Sequence, residues 1–228
     1  MKLPAFALAA SLTVLAMPGT ASAAPVVALD ASNVGIGTFS FSVTGTTITV
    51  NESWTTAGIG TLVFSGLDAG VNYTLIKNVT NNSGTAWTAF ANELLDPAGQ
   101  SNDAEDVQPY PSFVPAGYTT SNDLDGLSFA QGAGLTRSAT AFSTVTVDEL
   151  SDVRDFIDFT GGSLAVGSSM VVRYGLRDNS GANQPFLLSQ RPNARSVEVP
   201  VPEPATAAVL GAALAGLALR RRQGQAAA

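Results

Sequence analysis

The sequence of 228 residues contains neither cysteine nor histidine. The absence of cysteine excludes disulfide bonds, thiolate metal sites and cysteine nucleophiles. The absence of histidine excludes Ser-His-Asp triads and histidine-ligated metals. Any enzyme built on this chain would therefore depend on carboxylates, hydroxyls, arginine, tyrosine or one of the few lysines.

Positive charge is also scarce. The chain carries 11 Lys and Arg against 18 Asp and Glu, which gives a formal net charge of −7. A protein that binds nucleic acid neutralises phosphates with clustered Lys and Arg, so we predict no nucleic-acid partner. The hydrophobic fraction of 45% is sufficient for a core, and the length suits one domain or at most two small ones.

The N-terminus is typical of a secretory signal peptide. Lys2 supplies a positive start, residues 3–17 are mostly apolar, and Ala21-Ser22-Ala23 has the small-x-small pattern of a signal peptidase site. We predict a signal peptide over residues 1–23, with Ala21 and Ala23 as the cleavage residues, and hence export. A membrane anchor or a buried helix is the alternative, and the apolar run is short for either.

The C-terminus carries a second hydrophobic segment. A proline-rich linker over 197–204 leads into an uncharged run over 205–219, which is followed by Arg220, Arg221 and Arg222. As a helix the run would extend about 22 Å, short of the ~30 Å hydrocarbon core, although snorkelling arginines or local thinning would let it span. We predict a transmembrane helix over 205–219 and a basic cytoplasmic tail over 220–228. An Ala-rich core helix is the alternative.

These C-terminal elements together resemble a known signal. Val201-Pro202-Glu203-Pro204, the apolar span and the terminal arginines are similar to the PEP-CTERM sorting signal of exported bacterial proteins, which the exosortase system handles. Many such proteins accompany exopolysaccharide production. The resemblance implies that Pro202, Glu203 and Pro204 form the motif recognised by an exosortase-type enzyme. It further implies an inner-membrane precursor and then a location at the cell surface or outside the cell. We expect the mature protein to lose the short apolar span.

Residues 24–196 have the two-residue hydrophobic period of β-strands. Alternation over 39–43 and again over 48–54, separated by the Thr44-Gly45 turn, predicts a hairpin. Regular turn signals, 22 glycines and abundant threonine predict an antiparallel β-sandwich of the jelly-roll or Ig-like type. The signal helix and the C-terminal transmembrane helix would flank this all-β domain. Helical spacing of apolar residues leaves a short helix as the alternative at 87–94 and at 148–159.

Residues 96–126 stand out by their composition, with four prolines, three glycines and six acidic residues. Within them, Asn122-Asp123-Leu124-Asp125-Gly126 places oxygen ligands close together beside a glycine turn, an arrangement that hard cations prefer. We predict that Asp123 and Asp125 bind Ca²⁺. The pattern lacks the later bidentate Glu of an EF-hand, and an Asx turn on a solvated acidic loop is the alternative.

Candidate catalytic and sugar-binding residues are few. Glycosidases need two facing carboxylates, and Asp155 with Asp158 or Glu93 with Asp96 would supply them. We interpret these four as surface charges and predict that the protein is not an enzyme. Four aromatic side chains could stack on sugar rings. Strand-like surroundings predict that two of them lie in the core, and proline and glycine neighbours predict that the other two are exposed. The first pair is Trp54 and Trp87, and the second is Tyr110 and Tyr118.

The function predicted from these features is a structural or adhesive component of the cell surface or the extracellular matrix, linked to exopolysaccharide or biofilm. A carbohydrate-binding module is the alternative, and a carboxylate-based glycosidase is less favoured.

Overall fold

The computed structural model describes residues 24–99, 114–122, 125–130, 133–148, 154–180 and 184–194. The predicted signal peptide with Ala21 and Ala23, the sorting signal over 197–228, Tyr110 and Asp123 lie outside the described residues. The described part contains thirteen β-strands and no α-helix. None of its segments forms a helix that is long and apolar enough to span a membrane.

The strands are numbered in chain order. They are β1 Val26–Leu29, β2 Ile36–Thr44, β3 Thr47–Trp54, β4 Gly60–Ser65, β5 Asn72–Asn81, β6 Phe90–Pro97, β7 Tyr118–Thr120, β8 Leu127–Ser128, β9 Ser138–Ala139, β10 Phe142–Asp148, β11 Phe156–Gly162, β12 Ser169–Asp178 and β13 Phe186–Pro192.

Hydrogen bonds join these strands into one mixed sheet. The order along the sheet is β1-β4-β13-β6-β11-β10-β9-β12-β5-β3-β2, with β7 beside β6 and β8 beside β12. The pair β3–β5 is parallel, and the other strand pairs are antiparallel. The all-β class is thus confirmed. The predicted sandwich of two sheets is not confirmed, because the strands form a single continuous sheet.

The sheet curves round one core and nearly closes. The segment before the end strand β2 meets the segment before β4, the strand next to the opposite end, where Gly35 donates its N–H to the carbonyl of Ile59 at 2.8 Å. Val34 donates to the same carbonyl at 2.8 Å. The curvature brings the inward side chains of distant strands into a single hydrophobic cluster.

Three aromatic rings mark the centre of this core. Trp54 on β3 meets Trp87 edge-on at 5.3 Å between ring centroids, and Trp87 stacks on Phe90 of β6 at 5.6 Å. Both tryptophans are completely buried, so the prediction that they belong to the core is confirmed. Gly60 faces the Trp54 ring so closely that an added Cβ would lie 2.3 Å from it, and a larger residue would displace the ring.

The predicted hairpin over 39–54 is confirmed as β2 and β3, with Gly45 at φ +57° in the turn. Because β2 is an edge strand, its inward residue Phe41 remains 37% exposed. The helical alternatives at 87–94 and 148–159 are wrong within the described residues. Phe90 to Leu94 lie in β6 and Ile157 lies in β11, whereas residues 149–153 are outside the described part of the chain.

Candidate functional site

The lysine beyond the N-terminal segment, Lys77, points into the core. On β5 the residues alternate between inward and outward faces, and Tyr73, Leu75, Lys77 and Val79 face inward. The residues on either side of Lys77 on this inward face, Leu75 and Val79, are apolar. The Lys77 side chain is fully buried. A buried ammonium is costly unless it is paired and hydrogen-bonded.

Polar side chains from three other strands surround the Lys77 amine. Nζ donates to Asn92 Oδ1 on β6 at 3.0 Å and to Gln190 Oε1 on β13. Glu52 on β3 places Oε1 3.8 Å from Nζ, beyond hydrogen-bond length but close enough for strong attraction in the interior. We call Lys77, Glu52, Asn92 and Gln190 the core lysine cluster.

Each remaining member of the core lysine cluster is also held in place. Glu52 accepts from Gln190 Nε2 at 3.0 Å through Oε1, and from Trp54 Nε1 at 3.0 Å through Oε2. Asn92 Oδ1 accepts a second bond from the Tyr174 hydroxyl at 3.1 Å. The Asn92 amide nitrogen is buried without a hydrogen-bond partner. Asn92 and Gln190 face each other across the β6–β13 pair.

The surroundings change the acidity of the amine. Burial lowers the pKa of Lys77 from its ordinary 10.5 to about 8, and the nearby charge of Glu52 offsets part of this effect. Nζ also lies 4.7 Å from the Phe90 ring centroid and 5.9 Å from that of Tyr174, within range of cation–π attraction. Burial raises the pKa of the Tyr174 hydroxyl well above its ordinary value, and the charge of Glu52 adds to the effect.

A second ionic cluster lies beside β6. Glu93 binds the guanidinium groups of Arg154 and of Arg191, the latter at 2.6 Å, and all three side chains are buried. The interpretation of Glu93, Asp96, Asp155 and Asp158 as surface charges is wrong, since all four are buried. The two arginines and residues 119–122 cover this region. Ser121, for example, donates its hydroxyl to Asp155 at 2.5 Å.

Strands β2, β3 and β5 present uncharged polar side chains on the outside of the sheet. Asn51 donates to the Ser40 hydroxyl at 3.1 Å, and Asn78 donates to Asn51 Oδ1 at 2.9 Å, so that a hydrogen-bonded ladder crosses the three strands. A shallow groove of about 350 Å³ runs over this ladder. We call this surface the outer polar face. It consists of the outward residues Thr38, Ser40, Asn51, Ser53, Asn78 and Thr80.

Of the two predicted sugar-binding tyrosines, only Tyr118 lies within the described residues. Tyr118 begins β7, pairs with Pro97 of β6 and is half-buried. Partial burial raises the pKa of the Tyr118 hydroxyl, and the charge of Asp30 adds to the shift. Tyr110 lies outside the described residues, so sugar binding by this pair stays a prediction.

The predicted calcium site is seen in part. Asp125 accepts the backbone N–H of Leu127 at 2.7 Å through Oδ1 and that of Asn122 at 3.1 Å through Oδ2. These contacts form the turn, and Gly126 follows at φ +85°. No group of three or more carboxylates suited to a metal occurs among the described residues. Asp123 is outside them, and Ca²⁺ binding stays a prediction.

Sequence reasoning missed the core lysine cluster. One signal was present, since a lone lysine occupies an inward position within an otherwise apolar alternation over residues 73–79. Its partners gave no such signal. Asn92 and Gln190 lie 15 and 113 residues away from Lys77 along the chain, and folding alone brings them together.

Comparison with known families defines the C-terminal end. The PEP-CTERM protein-sorting motif matches residues 200–222, which include Pro202, Glu203, Pro204 and the arginine triplet. The chain is therefore an exported protein sorted by exosortase, and the resemblance noted in the sequence is confirmed. No curated protein and no solved structure matches the chain.

Proposed function

We propose that the protein is a structural or adhesive component of the cell surface or the extracellular matrix, associated with exopolysaccharide or biofilm. It reaches that place through an inner-membrane precursor that an exosortase-type enzyme processes. The sorting motif over residues 200–222 supports the route. The observation that carries the adhesive role is the outer polar face, a hydrogen-bonding surface without charge.

The chemistry of the outer polar face suits contact with a hydrated polymer. Its hydroxyl and amide groups both donate and accept hydrogen bonds, and so do the hydroxyls of polysaccharides. The charged members of β3 and β5, Glu52 and Lys77, point to the other side of the sheet and are buried. Glu52 also lines the groove but is only 2% exposed, so the exposed side chains of the outer polar face are uncharged, although the whole chain has a net charge of −7.

Fractionation of the host culture tests this role. We expect the wild-type protein in the matrix fraction and a double variant, Asn51→Asp with Asn78→Asp, in the culture medium, because two adjacent carboxylates would disrupt the ladder and repel acidic polymer. Val166→Ser is the matched control, since Val166 is 51% exposed in a turn outside the outer polar face. Equal matrix retention of the double variant and the wild type would contradict the proposal.

A carbohydrate-binding module is the second candidate, and the groove of about 350 Å³ on the outer polar face favours it. Trp54 and Trp87 are buried and supply no stacking surface for a sugar. If the domain is such a module, purified exopolysaccharide should retain the purified exported protein. The Asn51→Asp, Asn78→Asp variant should lose that retention. Matrix association without retention on the pure polymer supports the structural role instead.

The proposal includes no catalysis on an external substrate. It is supported by the burial of Glu52 and Glu93, which are at most 2% exposed and lie against cationic side chains.

A further inference from the structure

The contacts of Lys77 form a relay rather than a simple ion pair. Its amine donates to the carboxamide oxygen of Gln190, and the amide nitrogen of Gln190 donates to Glu52 at 3.0 Å. The direct approach of Lys77 to Glu52 is longer, at 3.8 Å. The carboxamide of Gln190 thus lies between a nucleophile and a carboxylate, and each holds one end of it.

We propose that Lys77 and Gln190 become joined by an intramolecular amide bond, with Glu52 transferring the protons. The bond links the Lys77 side-chain nitrogen to the Gln190 side-chain carbonyl carbon and releases ammonia. It crosses the core between β5 and β13, which share no backbone hydrogen bonds. In a chain without cysteine, it supplies the covalent bridge that a disulfide supplies elsewhere.

The atoms and electrons of this step balance without an added reagent. Glu52 takes a proton from the Lys77 ammonium, and the freed lone pair of Nζ attacks Cδ of Gln190. The carbonyl electrons move to Oε1 and return as the Cδ–Nε2 bond breaks. Glu52 delivers its proton to the departing Nε2, which leaves as ammonia, and takes a second proton from Nζ, so that Glu52 ends protonated. Nζ keeps one hydrogen, and nothing is oxidised or reduced.

The surroundings favour this reaction for three physical reasons. Both reacting groups are fixed in contact, which removes the entropy of bringing them together. Burial lowers the pKa of Lys77 to about 8, so that the neutral nucleophilic amine is accessible near neutral pH. The cluster is closed to solvent, with Lys77, Asn92 and Gln190 all completely buried, so that water does not compete with the amine.

Gln190 is a better acceptor than Asn92, although Nζ touches both oxygens. The Gln190 amide nitrogen contacts Glu52, which can protonate it as it leaves. The Asn92 amide nitrogen has no hydrogen-bond partner and hence no proton donor. Asn92 instead positions the Lys77 amine, and its own oxygen is held by Tyr174 at 3.1 Å.

Tryptic digestion of the exported full-length protein provides the test, because an amide on Lys77 blocks cleavage there. The unlinked chain gives one peptide ending at Lys77 and another ending at Arg137. The linked chain is not cut after Lys77 and gives a single peptide ending at Arg137, which is joined to the peptide of residues 178–195. The joined species is lighter than the summed masses of its two peptides by one ammonia, about 17 Da. Tandem mass spectrometry should place the branch at Lys77 and Gln190.

Variants separate the roles of the residues. Gln190→Leu removes both the acyl carbon and the leaving nitrogen, and Glu52→Gln removes the proton carrier. In both variants trypsin should cut fully after Lys77. Gln184→Glu is the matched control, because Gln184 is exposed in the same tryptic peptide and should leave the link intact. A β-rich circular dichroism spectrum confirms that each variant is folded.

Three results would overturn the proposal. Complete cleavage after Lys77 in the wild type excludes the bond, whatever the variants do. A loop within the peptide ending at Arg137, without residues 178–195, places the bond on Asn92 and refutes the assignment to Gln190. Full linkage in folded Glu52→Gln refutes the role of Glu52.

Discussion

Lys77 Nζ and Glu52 Oε1 lie 3.8 Å apart inside the sheet, and neither side chain is accessible to solvent. The two residues belong to β5 and β3, the parallel pair, in which Lys77 lies opposite Val50 and Glu52 lies opposite Val79. They are therefore diagonal neighbours on the inward face. Each neutralises a charge that the core would otherwise have to hold alone.

Removal of Glu52 alone should be more harmful than removal of both charges. In the Gln190→Leu background, in which the amide bond cannot form and Lys77 keeps its charge, Glu52→Leu leaves the buried Lys77 unpaired, and we expect the free energy of unfolding to fall by about 3–5 kcal/mol. The double variant with Lys77→Leu should recover part of that loss. Urea denaturation of the four proteins of this cycle measures the coupling. Simple additivity of the two single losses would show that the pair is not coupled.

The free amine of Lys77 should make stability depend on pH in Gln190→Leu, which cannot form the amide bond. The folded pKa is about 8 and the ordinary value is 10.5, so between these values the unfolded chain binds more protons. The free energy of unfolding should therefore rise with pH above 8, by at most about 1.4 kcal/mol per pH unit.

Tyr174 should reverse this rise at higher pH. Its pKa is raised in the folded state, so the unfolded chain loses the tyrosine proton first and gains stability above pH 10, its ordinary value. Denaturation of Gln190→Leu should thus show maximal stability near that pH. Adding Lys77→Met should abolish the rise in stability above pH 8. If the rise persists in that variant, a group other than Lys77 causes it.

Arg191 should matter far more to stability than an exposed arginine of the same sheet. Arg191→Ala leaves Glu93 with one cation fewer in a buried place, and we expect a loss of about 3 kcal/mol or more. Arg173 is exposed on β12, and Arg173→Ala should change stability by less than about 0.5 kcal/mol. Thermal melts of both variants provide the comparison, and similar melting temperatures would contradict it.

Processing at the sorting motif should remove the C-terminal apolar segment. Pro202 and Pro204 lack an N–H and disfavour helix at the preceding residue, which makes the Pro-Glu-Pro sequence a natural helix boundary. Mass spectrometry of the exported protein should find a new end near residues 202–205. Substitution of Glu203 and both prolines should trap the precursor in the inner membrane. Recovery of a C-terminus intact through Ala228 would refute processing.

Local sequence signals predicted the parts of the fold that depend on neighbours in the chain. The β2–β3 hairpin followed from alternation about the Thr44-Gly45 turn, and the core tryptophans followed from strand-like surroundings. The strand order did not follow, because it depends on pairings such as that of β13 with β4, which joins residues over 100 positions apart. The β-sandwich expectation failed to anticipate one curved sheet for the same reason.

The burial of charged residues was the hardest property to predict from the sequence. The sequence alone favours a surface position for Asp155 and Asp158, because carboxylates are rarely buried without partners. Partners from distant segments, such as the Ser121 hydroxyl for Asp155, make their burial tolerable. The same applies to Lys77, whose amine is satisfied by side chains on β6 and β13. The sorting motif, in contrast, is a contiguous stretch and was recognised directly.

The position of β13 has a consequence for the timing of folding. Among the described residues this strand is the last in sequence, yet it lies in the interior of the sheet and pairs with β4 on one side and β6 on the other. Until Pro192 has crossed the membrane, β13 cannot pair with β4 and β6, and the sheet lacks the strand that joins them. The earlier strands therefore form an incomplete sheet until β13 is available, and the sheet cannot close before residues 186–192 have been exported.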